Sequence, residues 1–272
     1  MQSGTRVTAI IQARNEEQAI GNVLRQLRRA GVQRVAVVVN GSTDRTADTA
    51  RTWAERLFPA FRIEEVPLAL GPDVPRAYGT LLALREAIPD EWFVYVDGDW
   101  KGSFGPMLAD TAATEISLEA DLWWPAASPP SLYGPDVEER FDLILWQKAL
   151  SLQFPTLVDA TPSEGPLWVH SRVFSAVSVY SLYHPGLWFA ESVRNPHLQV
   201  GLYRNWNQKI IGNPTRSALH AREMRETLIG DALEGCRVIL NQKPSRSWRG
   251  RWYDGYHSRR RTEWLEVWLG RW

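Results

Sequence analysis

The chain carries one cysteine, Cys236, in 272 residues. Neither an internal disulfide framework nor a cysteine-built metal cage can therefore support its fold, and Cys236 reads as a buried helix residue. No apolar run reaches the roughly 20 residues needed to cross a bilayer. The start, Met1-Gln-Ser-Gly-Thr-Arg6, leads straight into a strand pattern without a signal peptide's three-part layout, so a cytoplasmic location is expected. An excess of one charge is also missing: 31 lysines and arginines balance 31 aspartates and glutamates, and global charge gives no reason to expect nucleic acid. Glycine-rich phosphate loops are absent. No G-x-G-x-x-G follows the first strand and no G-x-x-x-x-G-K-[ST] occurs, which argues against a Rossmann NAD site and a P-loop.

What is present describes an ordinary globule. Hydrophobic residues make up 44% and charged residues 23% of the chain, enough length and apolar content for one large α/β domain or two small ones. Fourteen tryptophans are more than core filling alone is expected to use.

The first hundred residues alternate between buried strands and amphipathic helices. Val7–Ile11 reads as a strand, followed by a polar segment, Gln12–Glu17, and a helix to about Ala30, with Asn15 as its N-cap and Gly31 as its stop. Val35–Val39 is a second strand, leading through Asn40–Thr46 into a helix over Thr46–Leu57. Arg62–Val66 is a more polar strand, expected nearer an edge, and a helix over Arg76–Ala87 follows. Trp92–Val96 is the fourth strand. This alternation implies a mainly parallel sheet covered on both faces, with ligands bound beyond the carboxyl ends of the strands. The suggestive polar residues fall at those ends: Asn15 and Glu16, Asn40 to Asp44, and the pair Asp97 and Asp99.

Asp97-Gly98-Asp99 is the segment with the most chemistry. Side chains two apart on an extended chain share a side, so both carboxylates can address one point, and Gly98 lets the backbone bend where the strand runs out. Two hard carboxylates there suit Mg2+ or Mn2+ and, with it, a diphosphate. Each polar segment also has a plain structural use, as helix cap, turn or surface ion pair. Their joint order favours the functional reading.

Ala13-Arg14-Asn15-Glu16-Glu17, Asn40-Gly41-Ser42-Thr43-Asp44-Arg45-Thr46 and Asp97-Gly98-Asp99, in that order, resemble the family 2 glycosyltransferases of GT-A fold over about Arg6 to Lys101. The resemblance implies a Rossmann-like, mainly parallel GT-A sheet with helices on both faces and an elaborated C-terminal acceptor region. It implies that Ala13, Asn15 and Glu16 line the base pocket and that Asn40, Ser42 and Asp44 lie near base and ribose. Arg76-Ala-Tyr-Gly79 is similar to the family's A-R-N-x-G stretch, placing Arg76 near the phosphates. Asp99 would be the direct ligand of Mn2+ or Mg2+; Asp97 would bind it through water or hold the ribose. The sequence departs from the family where Asn40 replaces an aspartate and Tyr78 an asparagine, which leaves the donor base open; a UDP- or GDP-sugar is expected, uridine being the family's commonest base.

In the second half the pattern is irregular from about Asp110. Asp121–Pro125 suggests a strand, 128–135 a loop, Val137–Phe154 a helix, and Leu167–His170 a strand with a helix from Ser171. Thr161, Ser163 and Glu164 are candidates for the acceptor side. Phe189-Ala-Glu-Ser-Val193 sits where family 2 members carry a Glu-Asp pair; either Glu191 is the catalytic base of an inverting enzyme or no dedicated base exists. The second case suits retention. Gln199 and His220 faintly resemble the glutamine and metal-binding histidine of phosphoglycerate-type sugar transferases such as the glucosyl-3-phosphoglycerate synthases. That makes His220 a candidate third metal ligand beside Asp97 and Asp99, alongside a purely structural use. His170 and His184 are expected to be structural.

Three regions follow: residues 1–110 as a nucleotide-sugar-binding half, 111–241 as an acceptor-binding half, and 242–272 as a basic, aromatic tail. In the tail Trp264, Trp268 and Trp272 fall four apart, on one face of a helix. Docking on the domain or on a second subunit is the first reading of that stripe. Contact with an anionic membrane and binding of a phosphorylated or lipid-linked acceptor are the alternatives, with nucleic acid last. The expected activity is metal-dependent transfer of a hexose-like sugar to an acceptor hydroxyl. Nucleotidyl transfer to a sugar phosphate and a catalytically silent sugar-nucleotide-binding protein are the competing hypotheses.

Overall fold

A computed structural model describes residues 6–88, 90–115, 120–127, 140–204 and 217–269. Its centre is a seven-stranded sheet of order β3-β2-β1-β4-β6-β5-β7. The first four strands are β1 (Val7–Ala13), β2 (Arg34–Asn40), β3 (Ala60–Val66) and β4 (Trp92–Asp97), all parallel to one another. The apolar runs of β1, β2 and β4 are buried on both faces, as parallel strands under helices require. β3, the polar one, is an edge strand. The remaining strands are β5 (Leu122–Pro125), β6 (Leu167–His170) and β7 (Val200–Tyr203); β6 runs antiparallel to both β4 and β5, while β7 runs parallel to β5.

The pleat sorts the core. Val7, Ala9, Ile11 and Ala13 face one side, packing on α1 (Ile20–Arg29), α2 (Thr46–Leu57) and α4 (Gly105–Glu115) through Val23, Leu24, Leu27, Ala50 and Leu108. Ile10, Ala36 and Val38 face the other, under α3 (Val74–Leu84). That second face continues beneath α5 (Phe141–Gln153), α6 (Pro185–Arg194) and α7 (Ala218–Ile239). Several expected helix ends move: the third helix opens at Val74, and Ser171–Ser175 is a short 3-10 turn. Of the expected Val137–Phe154 helix, Phe141–Gln153 is observed, the residues 137–139 and the loop over 128–135 lying outside those described.

Among the described residues seven of the tryptophans sit in the core, while Trp248 and Trp252 are exposed. Trp92, Trp100, Trp123, Trp124, Trp146, Trp168 and Trp188 are all buried. Around Phe189, Trp124 and Trp146 pack edge to face at centroid distances of 4.8 and 5.1 Å, a geometry in which each ring edge meets a ring face. Cys236 is buried in α7, and burial pushes its thiol well above the ordinary range.

The basic tail packs on its own domain. A two-stranded hairpin of β8 (Ser247–Trp248) and β9 (Arg251–Trp252) leads to the short α8 (Glu263–Leu269). Leu265 is buried in the second core and Trp264 packs against it. The side chains of Trp268 and Trp272 lie outside the described residues. Among the described residues no helix is long and apolar enough to cross a membrane.

Candidate functional site

The strand order reverses between β1 and β4: from β1 the chain adds β2 and β3 on one side, then returns to place β4 on the other. Such a switch point leaves a crevice beyond the strand ends. Gln12 of β1 is in register with Asp97 of β4, and the Gln12 amide donates to Asp97 Oδ1 at 2.8 Å. Gly98 is required by close approach, in place of the bend expected from its flexibility. A Cβ there would stand 2.7 Å from Ala13 Cβ and 2.9 Å from the Gln12 carbonyl oxygen.

A cavity of about 800 Å³ opens at this point, lined by Ala13, Glu16, Asn40, Asp97, Asp99 and His220 among others. Six of the sequence-derived candidates therefore meet in one place. The volume is that of a small-molecule site. Asp97 and Asp99 supply hard oxygens and His220 a borderline nitrogen, a donor set that fits Mn2+ and, through the carboxylates, Mg2+.

The remaining candidates stand outside the lining. Asn15 does not cap α1, which begins at Ile20 behind Ala19 without a side-chain cap. Its backbone is left-handed, with φ of 56°; its N–H donates to Ser42 Oγ at 3.0 Å and its Oδ1 accepts from the Thr43 N–H at 2.8 Å. Asp44 accepts from the N–H groups of Thr46 at 3.0 Å and Glu17 at 3.2 Å. Burial alone would raise its carboxyl, but a bond from the Thr46 hydroxyl together with these two holds it below the ordinary range. Asn15, Ser42 and Asp44 thus stitch the loops after β1 and β2 together and shape the cavity edge from behind. Arg76, in the first turn of α3, reaches Asp97 Oδ1 at 3.6 Å and Asp73 Oδ1 at 3.6 Å. It sits beside the carboxylate pair as a neighbouring positive charge.

Asn40 explains its own departure from aspartate. Its Oδ1 accepts from the Leu70 N–H at 2.6 Å while its Nδ2 donates to the Gly71 carbonyl at 3.2 Å. A carboxylate could make only the first of these bonds. The loop so held packs directly on the tail: a Cβ at Gly71, whose φ is +84°, would stand 2.4 Å from the Arg259 carbonyl oxygen.

The acceptor-side candidates are engaged internally. Thr161 is fully buried and its Oγ1 accepts from the Ser163 N–H at 3.1 Å. Glu164 lies 3.6 Å from Arg140. Glu191 is exposed on α6, where its Oε2 accepts from Ser181 Oγ at 2.8 Å, and does not line the cavity. His170 is buried against the Arg172 N–H, and burial lowers its pKa.

Sequence reasoning missed the far wall. Met224 of α7 and Tyr256, Ser258, Arg259 and Arg261 of the tail line the same cavity. The tail's mix of arginine and aromatic residues was the available signal, read there first as a docking surface and, as an alternative, as a binder of a phosphorylated acceptor. A buried ion network holds this wall in place. Arg260, whose side chain is 1% exposed, donates to Asp231 Oδ1 and Oδ2 at 2.9 and 2.8 Å and to Asp73 Oδ2 at 2.9 Å. Arg246 donates to Asp231 at 2.6 Å and to Glu234 at 2.9 Å. Burial alone would raise the Asp231 carboxyl, but Arg260 and Arg246 hold it below the usual range. His184 and His257 complete the cluster, and their ligand atoms lie with those of Asp231 and Glu234 within 4.8 Å of one another. That spacing suits a metal, but the two guanidiniums already occupy the carboxylates. With Asp231 and Glu234 already hydrogen-bonded and neutralised by Arg246 and Arg260, the cluster serves as a structural ion network.

No protein-family model and no curated protein matches the sequence. Solved structures do. A crystal structure described as a mycobacterial protein superposes with a TM-score of 0.60 at 16% identity, covering 86% of this chain and 75% of that one. Glucosyl-3-phosphoglycerate synthase from Mycobacterium tuberculosis, in complex with Mn2+, uridine diphosphate and glucosyl-3-phosphoglycerate, superposes with a TM-score of 0.57 at 15% identity, covering 86% and 80%. The same synthase with Mg2+ and uridine diphosphate gives 0.57 at 16%, with the same coverage. The chain has the α/β fold of these proteins, the GT-A architecture expected from its motifs.

Proposed function

We propose that the chain is a nucleotide-sugar-dependent glycosyltransferase that uses Mn2+ or Mg2+. One observation carries the reading: Asp97, Asp99 and His220, the first and last 123 residues apart in sequence, line one cavity with Glu16 and Asn40 at the switch point of the sheet. The fold is shared with a synthase solved with uridine diphosphate and either cation, which supports a nucleotide diphosphate sugar as donor.

Asp99 and His220 would hold the cation, with Asp97 beside them through water or on the ribose. When bound, the cation supplies charge neutralisation for a diphosphate leaving group. The chain's own residues do the rest. The loops after β1 and β2, pinned by Asn15, Ser42 and Asp44, shape the base and ribose end around Ala13, Glu16 and Asn40. Arg76 stands 3.6 Å from Asp97 as a positive neighbour, and the exposed Arg14, Arg259 and Arg261 add positive charge to the lining. Positive side chains there favour anionic groups on donor or acceptor. Among the described lining residues the carboxylates are Glu16, Asp97 and Asp99, all on the donor side. Glu191 stands outside the cavity, and both an inverting and a retaining course stay open.

The test is turnover: release of UDP or GDP from a panel of their sugars, with and without Mn2+, over a set of hydroxyl acceptors that includes phosphorylated ones. Metal-dependent release of a nucleoside diphosphate is expected. Pyrophosphate release from a nucleoside triphosphate and a sugar phosphate would instead establish nucleotidyl transfer.

A further inference from the structure

His220 and Tyr256 meet at the cavity wall. Ser217 caps α7 by accepting from the His220 N–H at 3.2 Å, which places the imidazole in the helix's first turn. Its Nδ1 lies 2.7 Å from the Tyr256 hydroxyl, with ring centroids 5.4 Å apart. Tyr256 is itself held on three sides. Its N–H donates to Thr227 Oγ1 at 2.7 Å, two turns further along α7. The Arg259 guanidinium lies 4.9 Å from its ring centroid and is itself fixed on Glu223 at 2.5 Å. Arg260, next along the chain, is locked into the buried ion network. The tyrosine is therefore a fixed post against which the imidazole rests.

A neutral imidazole has one protonated and one basic nitrogen, and the hydrogen bond at one decides which nitrogen can bind a cation. A histidine that ligates a metal donates its other ring N–H to a neighbouring oxygen, and loss of that neighbour weakens metal binding about 10- to 100-fold. We infer that Tyr256 is a positioning residue for His220. Its oxygen accepts from Nδ1–H and turns Nε2 toward the carboxylate pair. The inference rests on the metal site proposed above, and it gives the tail a task there that tail packing alone would not require.

A double-mutant cycle tests it, with Mn2+ affinity read by calorimetry on the full chain in the presence of saturating UDP. Tyr256→Phe removes one oxygen and leaves the ring contacts; circular dichroism and the melting midpoint establish that the variant is folded. We expect about ten-fold weaker Mn2+ binding in Tyr256→Phe, at least as large a loss in His220→Ala, and no further loss when the two are combined. Nitrogen-15 spectra of the metal-free protein should show the His220 tautomer populations changed in Tyr256→Phe. Equal Mn2+ affinity in Tyr256→Phe and wild type, an undiminished loss in the His220→Ala background, or an unchanged tautomer pattern would each overturn the role of Tyr256 alone. A wild-type chain that takes up no Mn2+ with UDP would overturn the metal site and this inference together.

Discussion

Replacing Arg260 with methionine tests whether the tail is built into the cavity or merely lies on it. The substitution keeps most of the apolar stem and removes three charge-assisted hydrogen bonds, two to Asp231 and one to Asp73. Breaking one partner out of a buried pair costs about 3–5 kcal/mol, because a carboxylate is left without its counter-charge. Here neither acid is abandoned: Asp231 keeps Arg246 at 2.6 Å, and Asp73 keeps Arg76 at 3.6 Å. The loss should therefore fall at the lower end, about 3 kcal/mol, with the buried position of Arg260 keeping it above surface-pair values. Urea denaturation followed by circular dichroism should show a lower midpoint at unchanged slope. Arg260→Lys, which keeps the charge and loses the planar fork, should recover part of the difference. Because Arg259 and Arg261 flank Arg260 and line the cavity, UDP affinity should fall as well. A stability change under about 1 kcal/mol with unaltered UDP binding would refute the reasoning.

Acid should destabilise the fold through two histidines. Burial first, then Arg260 for His184 and Arg246 for His257, pushes their pKa values down to about 3 and about 4. Both are neutral in the folded chain while the unfolded chain takes up protons below about 6.5. Stability should thus fall as pH drops from about 6.5 toward 4, by at most about 1.4 kcal/mol per pH unit for each histidine and by less for the more exposed His257. Urea midpoints across that range, compared with His184→Asn, check the sign and the slope. Asn40→Asp should cost about 1–3 kcal/mol, since the carboxylate cannot donate to the Gly71 carbonyl; the melting midpoint reads this directly. Gly98→Ala should cost about 1–3 kcal/mol by forcing β4 away from β1. It should also weaken metal-dependent nucleotide binding by moving Asp97 and Asp99, and an unchanged affinity would show that the carboxylates do not need the close strand contact.

The N-terminal half was legible because its signals are local. Runs such as Val35–Val39 can only be doubly buried strands, and α2 falls on its expected residues, Thr46–Leu57. Chemistry at the strand ends follows from that alternation without knowledge of side-chain contacts. Asn15 shows where local reasoning fails. A cap residue was expected, but the left-handed turn at Asn15 carries its side chain across to Thr43, a partner 28 residues away. The extent of α7, foreseen only as a helix around the buried Cys236, was hidden for a related reason. Its apolar stripe, Ile229, Ala232, Leu233, Cys236 and Ile239, shares the buried face with Thr227, Gly230, Asp231 and Gly235, which blur the pattern. Asp231 is tolerated there only because Arg246 and Arg260 arrive 15 and 29 residues later. The same long-range pairing hid the tail's place in the cavity wall, since Arg259 and Arg261 face the cavity while Arg260 between them is buried.

The central claim is that Asp97, Asp99 and His220 gather a divalent cation around a nucleotide diphosphate. Calorimetric titration of UDP and of GDP into the full chain, with Mn2+ and with EDTA, addresses it most directly when repeated on Asp99→Asn. The account expects one of the two nucleotides to bind in a Mn2+-dependent manner, with that dependence abolished in the variant while its melting midpoint stays close to wild type. Nucleotide binding that is indifferent to Mn2+, or that survives unchanged in Asp99→Asn, would contradict it.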